Sequence, residues 1–304
     1  MEKTKENIWI SAHLFYEEDS NRLLTGFIKP FIENMRLENS LQNYFFIRFC
    51  ESGPHIRLRL LVAKEQEKKW REKLEQESTH FFCIHPSKSE RGPNLNWELF
   101  PDNSIQYILY KPEIERYGDI NTIKNAELQF EACSDAVLQF LTLHSNDWNK
   151  NAELILALKM HLTFFAAMDF SLTNMMDVCK SFIRLWLPYL FDPAKPIKDE
   201  QQFFVSKFKD RFKLYQDKLV PAISDYLYEH KTGKLHDEIL KPYYTRNQQI
   251  KAAYKACNYD LLINRDITNS FIHMTHNRIG IINSDEAYII YLLYKCLENI
   301  LADE

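Results

Sequence analysis

From His55 to Leu60 the chain alternates polar and apolar side chains without a break, in His55-Ile-Arg-Leu-Arg-Leu60, just after the turn-forming Ser52-Gly53-Pro54. A period of two specifies an extended strand with one face on a core. Ile56, Leu58 and Leu60 then share the core face, and His55, Arg57 and Arg59 share the other. The apolar stretch Tyr44-Phe-Phe-Ile-Arg48 precedes the turn and supplies a first neighbour, so a hairpin with Arg48 on its earlier strand is expected. Clustered cations repel one another unless an anion or a carboxylate answers them. Arg provides planar, bidentate recognition of carboxylate or phosphate, and His titrates near neutrality. Two readings of this face are open: an anion site, or a solvated sheet surface.

Around this hairpin the first part of the chain mixes strands with helices. Trp9 to Phe15 reads as a strand, and Ser20 to Arg36 as a helix with Leu23, Leu24, Phe27, Ile28, Phe31 and Ile32 on its apolar side. A charged amphipathic helix follows from Glu65 to Thr79, and a short strand from Gln106 to Tyr110. From about residue 121 the pattern becomes helical, with candidates over 123–144, 150–171, 174–191, 199–230, 242–258, 268–277 and 284–302. Asn283 with Glu286 three residues on forms a capping-box pattern at the start of the last one. The expected class is α+β: an N-terminal antiparallel sheet with packed helices (about 1–120), then a largely helical half (about 121–304), together one domain.

Composition excludes more than it assigns. A net charge of −4 gives no basic footprint for non-specific nucleic-acid binding. The six cysteines form no CxxC pair, and MEKTKENIWI lacks an apolar run of signal-peptide length, so reduced thiols in a cytoplasmic protein are expected. The most apolar region, Leu154 to Leu172, is interrupted by Lys159, His161 and Asp169 and reads as a core helix rather than a membrane span. No GxGxxG, GxxxxGK[ST] or GxSxG is present, so neither nucleotide cradling nor a nucleophile elbow has its signature. No cofactor is called for.

Two further segments carry chemistry. In Tyr110-Lys-Pro-Glu-Ile-Glu-Arg-Tyr-Gly118, Glu113 and Arg116 are three apart and share a side of any helical turn. They form either a surface pair or a carboxylate that holds an arginine for a ligand. In Ser270-Phe-Ile-His-Met-Thr-His-Asn-Arg-Ile-Gly280, Asn269 or Ser270 is placed to cap a short helix that Gly280 ends, with His273 and Asn277 on one face. His273 is open to two readings, a core histidine or a general acid–base group. His273 and His276 have a spacing that a metal can bridge, but no third ligand stands at a recognised distance, so no metal is expected.

Together, Tyr44 to Arg48, Gly53-Pro-His-Ile-Arg-Leu-Arg59, Pro112-Glu-Ile-Glu-Arg-Tyr-Gly118 and His273-Met-Thr-His-Asn-Arg278, with Glu286 beyond, resemble one family in order and approximate spacing. They are similar to the C-terminal elimination domain of class I lantibiotic dehydratases, found also as stand-alone thiopeptide-type bacteriocin biosynthesis proteins. The resemblance runs from Trp9 to about Leu301 and departs where Cys133-Ser134-Asp135 replaces a frequent Asp-Ser pair. It implies a stand-alone subunit that expels glutamate from glutamylated Ser or Thr of a ribosomal precursor peptide, leaving dehydroalanine or dehydrobutyrine. Residue by residue it implies His273 as the proton-transfer group, with His276 as the fallback and with Arg116 and Glu113 at the reacting centre. Arg57, Arg59, His55, Arg48, Asn277 and Arg278 fall to substrate binding. The implied partners are a leader-bearing precursor peptide and a separate glutamylating dehydratase subunit, with tRNA contact left to that subunit. Two other readings stay open: a pyridine synthase joining two dehydroalanines by formal [4+2] cycloaddition with leader release, and a non-catalytic peptide- or partner-binding subunit.

Overall fold

The computed structural model describes residues 6–88 and 99–303, the side chains of 283 and 284 excepted. The Asn283 cap and the charged start of the N-terminal segment therefore lie outside the described residues. The chain divides into two compact units, residues 1–113 with 137–145, and residues 114–136 with 146–304.

The first unit is built on a four-stranded antiparallel sheet in the order β2-β3-β1-β4, from β1 (Asn7–Phe15), β2 (Leu41–Phe49), β3 (His55–Ala63) and β4 (Ser104–Tyr107). Register sorts its side chains cleanly. Ile10, Ala12 and Leu14 of β1 stand opposite Leu60, Leu58 and Ile56 of β3, and Tyr44 and Phe46 of β2 join them. All of these are buried, on the face toward α2 (Lys29–Leu37) and α3 (Glu67–Ile84).

The expected helix over 20–36 is interrupted: α1 (Ser20–Leu23) passes through a π-helical turn, Leu24–Ile28, before α2. Pro30 is the physical cause. It lacks an N–H and its ring collides with the carbonyl four residues back in a regular α-helix; the wider π turn relieves both. The residue four back is Gly26, and a Cβ there would lie 3.2 Å from the Phe81 ring.

The second unit is helical. A 3₁₀ turn, Glu115–Tyr117, leads into α4 (Ile123–Leu143), followed by α5 (Lys150–Ala167), α6 (Leu172–Trp186), α7 (Ile197–Lys213), α8 (Gln216–Lys231), α9 (Leu240–Ala256), α10 (Arg265–Ile279) and α11 (Asn283–Asp303). The sheet-then-helices order is the α+β class expected from sequence.

Several boundaries differ: the expected strand 106–110 is Ser104–Tyr107 and the expected helix 65–79 is Glu67–Ile84, and three helices of the second unit depart further. The expected helix 199–230 is two helices that part at Leu214–Tyr215, where no Gly or Pro marks the break. The expected 174–191 ends as an α-helix at Trp186 and continues as a 3₁₀ turn, Leu187–Leu190, because Pro188 cannot extend the α ladder. Helix α10 begins at Arg265, so Asn269 and Ser270 are interior residues rather than caps. Gly280 does end that helix, in the left-handed region at φ 102°. Helix α10 packs on α5 and α6, and α11 packs chiefly on α6.

Candidate functional site

Within the first unit, register places Ser11, His13 and Phe15 of β1 beside Arg59, Arg57 and His55 of β3, with Phe45, Ile47 and Phe49 of β2 on the far side. This is the face opposite the aliphatic core, yet it is not solvated: His13, His55 and Arg59 are 3%, 4% and 5% exposed. Tyr110 covers it, with its ring against Trp9 and Phe45, while Phe100 packs on Phe15.

The two buried histidines act as acceptors for the arginines. His55 turns Nδ1 to the Gly53 carbonyl at 2.7 Å, so that nitrogen carries the proton and Nε2 accepts from Arg57 Nε at 3.4 Å. Arg59 Nη2 donates to His13 Nε2 at 3.1 Å, and its Nε has no hydrogen-bond partner among the described residues. The Arg57 guanidinium lies 3.3 Å from the Phe49 ring centroid. Burying a donor without an acceptor costs about 1–3 kcal/mol, and an entering carboxylate removes that cost. The arrangement brings a buried Arg59 and a half-buried Arg57 to one face, a donor set whose chemistry suits a carboxylate.

The same crowding sets the protonation states. Burial, then the charges of Arg59, His55 and Arg57, push His13 from 6.5 down to about 3. Burial is also the main cause holding His55 at about 4, where the Gly53 hydrogen bond opposes it and Arg57 and Arg59 add to it. Arg59 is pulled to about 10 by burial and by Arg57. When a histidine's folded pKa is depressed, the unfolded chain binds the extra proton, so stability falls as pH drops below the unfolded value. Fold stability is therefore expected to decline from pH 6.5 toward 4 and 3. Urea denaturation at pH 7 and pH 5 checks this, with a smaller difference expected in His13→Phe than in the parent.

The second unit holds the other group of candidate residues. His273, on α10, directs Nδ1 to Glu286 Oε2 of α11 at 2.9 Å, and His276 directs its own Nδ1 to the same oxygen at 3.2 Å. Burial pushes the Glu286 carboxyl up, but the hydrogen bonds from His273 and His276 outweigh it and hold the group below the usual carboxylate range. An ionised carboxylate only accepts, so His273 donates through Nδ1–H. Its Nε2 makes no hydrogen bond among the described residues. Trp186, at the end of α6, stacks on the ring at 4.1 Å and fixes its plane.

Arg116 reaches the same helix face. Its Nε donates to Ser270 Oγ at 3.0 Å, and Ser270 lies one turn before His273 on α10. The turn that presents Arg116 depends on Gly118 at φ 112°, where a Cβ would meet Thr122 Oγ1 at 2.5 Å.

The remaining sequence candidates distribute unevenly. Asn277 is half-buried one turn beyond His273, on the same side of α10. Glu113 is exposed, and its charge acts on Arg57, partly offsetting the burial that lowers the guanidinium's pKa. Arg48 leaves the cluster: it stands opposite Ile56, on the other face of the sheet, and bonds Ser20 Oγ and Asn21 Oδ1 of α1. Arg278 also turns away. It is fully buried, donates to Ser134 Oγ at 3.2 Å and the Met274 carbonyl at 3.0 Å, and lies over Phe130.

Residues that sequence reasoning missed are His13, Tyr110, Trp186 and His161, the last hydrogen-bonded to His276. His13 had a readable signal, since it occupies the parity opposite Ile10, Ala12 and Leu14.

Against known proteins, the chain matches the family described as "Lantibiotic biosynthesis dehydratase C-term" over residues 9–297. It is 23% identical to the epidermin biosynthesis protein EpiB of Staphylococcus epidermidis, over 94% of this chain and 25% of that protein. It is 24% identical to the nisin biosynthesis protein NisB of Lactococcus lactis subsp. lactis, over 97% of this chain and 26% of that protein. The chain thus spans about a quarter of the length of these curated relatives.

Among solved structures, the pyridine synthase TbtD from thiomuracin biosynthesis superposes with a TM-score of 0.74 at 13% identity, covering 97% of this chain and 99% of that one. The tRNA-dependent lantibiotic dehydratase MibB from Microbispora sp. 107891 gives 0.59 at 13% identity, over 100% of this chain and 29% of that one. These structures share the fold of this chain, a four-stranded sheet followed by helices. With the family match running from β1 into α11, this chain belongs to the lantibiotic biosynthesis dehydratase C-terminal family.

Proposed function

We propose that this chain is a glutamate-elimination enzyme acting on glutamylated Ser or Thr of a ribosomally made precursor peptide. The observation that carries the reading is the His273–Glu286 pair, with the free Nε2 of His273 and Arg116 anchored one turn away. In the reaction His273 Nε2 takes the proton from Cα of the modified residue. The C–H electron pair forms the Cα=Cβ double bond, the Cβ–O bond breaks, and glutamate leaves as its carboxylate. Charge grows first on the adjacent amide oxygen and then on the leaving group. Arg116 is assigned to the former, and Arg57 and Arg59 are assigned the glutamyl carboxylate by the sequence resemblance alone. Glu286 orients His273 and stabilises its imidazolium, the role a buried carboxylate plays beneath a general base.

The proposed partners are a leader-bearing precursor peptide and a separate glutamylating subunit, which takes the tRNA. Among the described residues no helix is long and apolar enough to cross a membrane.

The second reading is a pyridine synthase, favoured by the near-complete mutual coverage with TbtD. It needs no dedicated carboxylate site for a departing glutamate. The two arginines on one sheet face, Arg59 buried and Arg57 half-buried, and the His273–Glu286 pair support elimination instead. Mass spectrometry of two peptides incubated with the purified protein tests the choice. Conversion of a glutamylated peptide to the dehydroamino acid is expected. Leader release from a dehydroalanine-bearing peptide, with the glutamylated one untouched, would establish cycloaddition.

A further inference from the structure

Two buried histidines serve no step of the reaction above. His161 of α5 and His276 of α10 are 1% and 0% exposed, and their Nε2 atoms lie 2.8 Å apart with the rings edge to face. His276 also reaches Glu286, and Glu286 reaches His273. Four side chains from α5, α10 and α11 therefore form one hydrogen-bonded line, His161–His276–Glu286–His273, closed at the first and half-exposed at the last. Aromatic rings flank it: Phe182 stands edge-on to His276, and Trp186 stacks on His273.

One arrangement of protons matches every donor in the line to an acceptor with all three histidines neutral. Glu286 Oε2 only accepts, so both His273 and His276 donate through Nδ1–H. With His276 carrying its one proton on Nδ1, its Nε2 lone pair faces His161 Nε2 at 2.8 Å, and the facing nitrogen of His161 answers it with a proton. His161 is itself neutral, because burial, the largest cause, keeps its pKa well below the ordinary histidine value. A neutral imidazole has one N–H, and here it sits on Nε2.

We propose that His161 is a positioning residue: by donating Nε2–H to His276 it commits His276 to the Nδ1–H tautomer, keeps Glu286 held by two donors, and so leaves the Nε2 lone pair of His273 as the line's open end. The proposal rests on His273 being the base of the elimination. Without His161, His276 is free to move its proton to Nε2. It then presents a lone pair to the carboxylate, Glu286 loses a donor, and the orientation of His273 loosens. Errors of this size in the placement of a general base reduce turnover by an order of magnitude or more.

The test is long-range ¹H–¹⁵N spectroscopy of protein labelled at histidine, with signals assigned by single substitutions. The expected spectrum shows neutral His161 as the Nε2–H tautomer, and His276 and His273 as Nδ1–H. In His161→Phe, which keeps an aromatic ring but no donor, His276 and His273 should become tautomer mixtures and turnover should fall about tenfold or more. In His161→Gln the amide nitrogen stands where Nε2 stood, and the single tautomers and the turnover should return. A doubly protonated His276 in the parent protein, or unchanged tautomers in His161→Phe, would overturn the proposal. If His161→Phe fails to fold, the parent spectrum and His161→Gln still decide it. Spectra as expected from a protein that never eliminates glutamate would leave the positioning role standing and reject the functional reading alone.

Discussion

His273→Phe is expected to leave a glutamylated peptide unconverted, with elimination slowed by about 10²–10⁴-fold. Phenylalanine preserves the ring stacked on Trp186 and removes both nitrogens, so the fold should be retained while the base is lost. Single-turnover mass spectrometry of the glutamylated peptide reads the rate, and a thermal melt confirms folding. Persistence of parent-like elimination would remove His273 from the reaction. Glu286→Gln should fall on the same axis with a smaller loss. The amide still fits and its oxygen can accept from both histidines, but it carries no charge to stabilise the imidazolium that forms on His273.

Arg57→Ala is the second large effect expected, at about 10²–10³-fold in turnover. Arg57 is only half-buried, so the loss should come from leaving-group stabilisation more than from folding. Arg57→Lys should recover little of it, because an ammonium cannot reproduce the planar fork stacked on Phe49. The comparison to make is kcat and KM for the glutamylated peptide across the three proteins. A pure KM effect would mean that Arg57 binds substrate and transition state equally.

The parity of His55, Arg57 and Arg59 was legible because strand periodicity is local. That their face is buried was not, since Tyr110 and Phe100 come from distant chain. Arg48 was out of reach for a related reason. Its side depends on the hairpin register across residues 50–54, and a shift of one residue moves a side chain to the opposite face. On α10, helical arithmetic separates the motif's members. At about 100° per residue, Asn277 lies about 40° from His273 and Arg278 about 140° away, which is why the first shares its side and the second enters the core. The Glu286 contact spans thirteen residues across a helix end, and Trp186 arrives from another helix, so no i, i+4 rule could join either to His273.

Simultaneous quantification of free glutamate and dehydroamino acid, as the purified chain consumes a glutamylated peptide, tests the central claim most directly. The account predicts that the two products form together, one for one. Glutamate released with serine or threonine restored would mean ester hydrolysis, and no release at all would mean that the His273 centre serves another reaction; either result would contradict it.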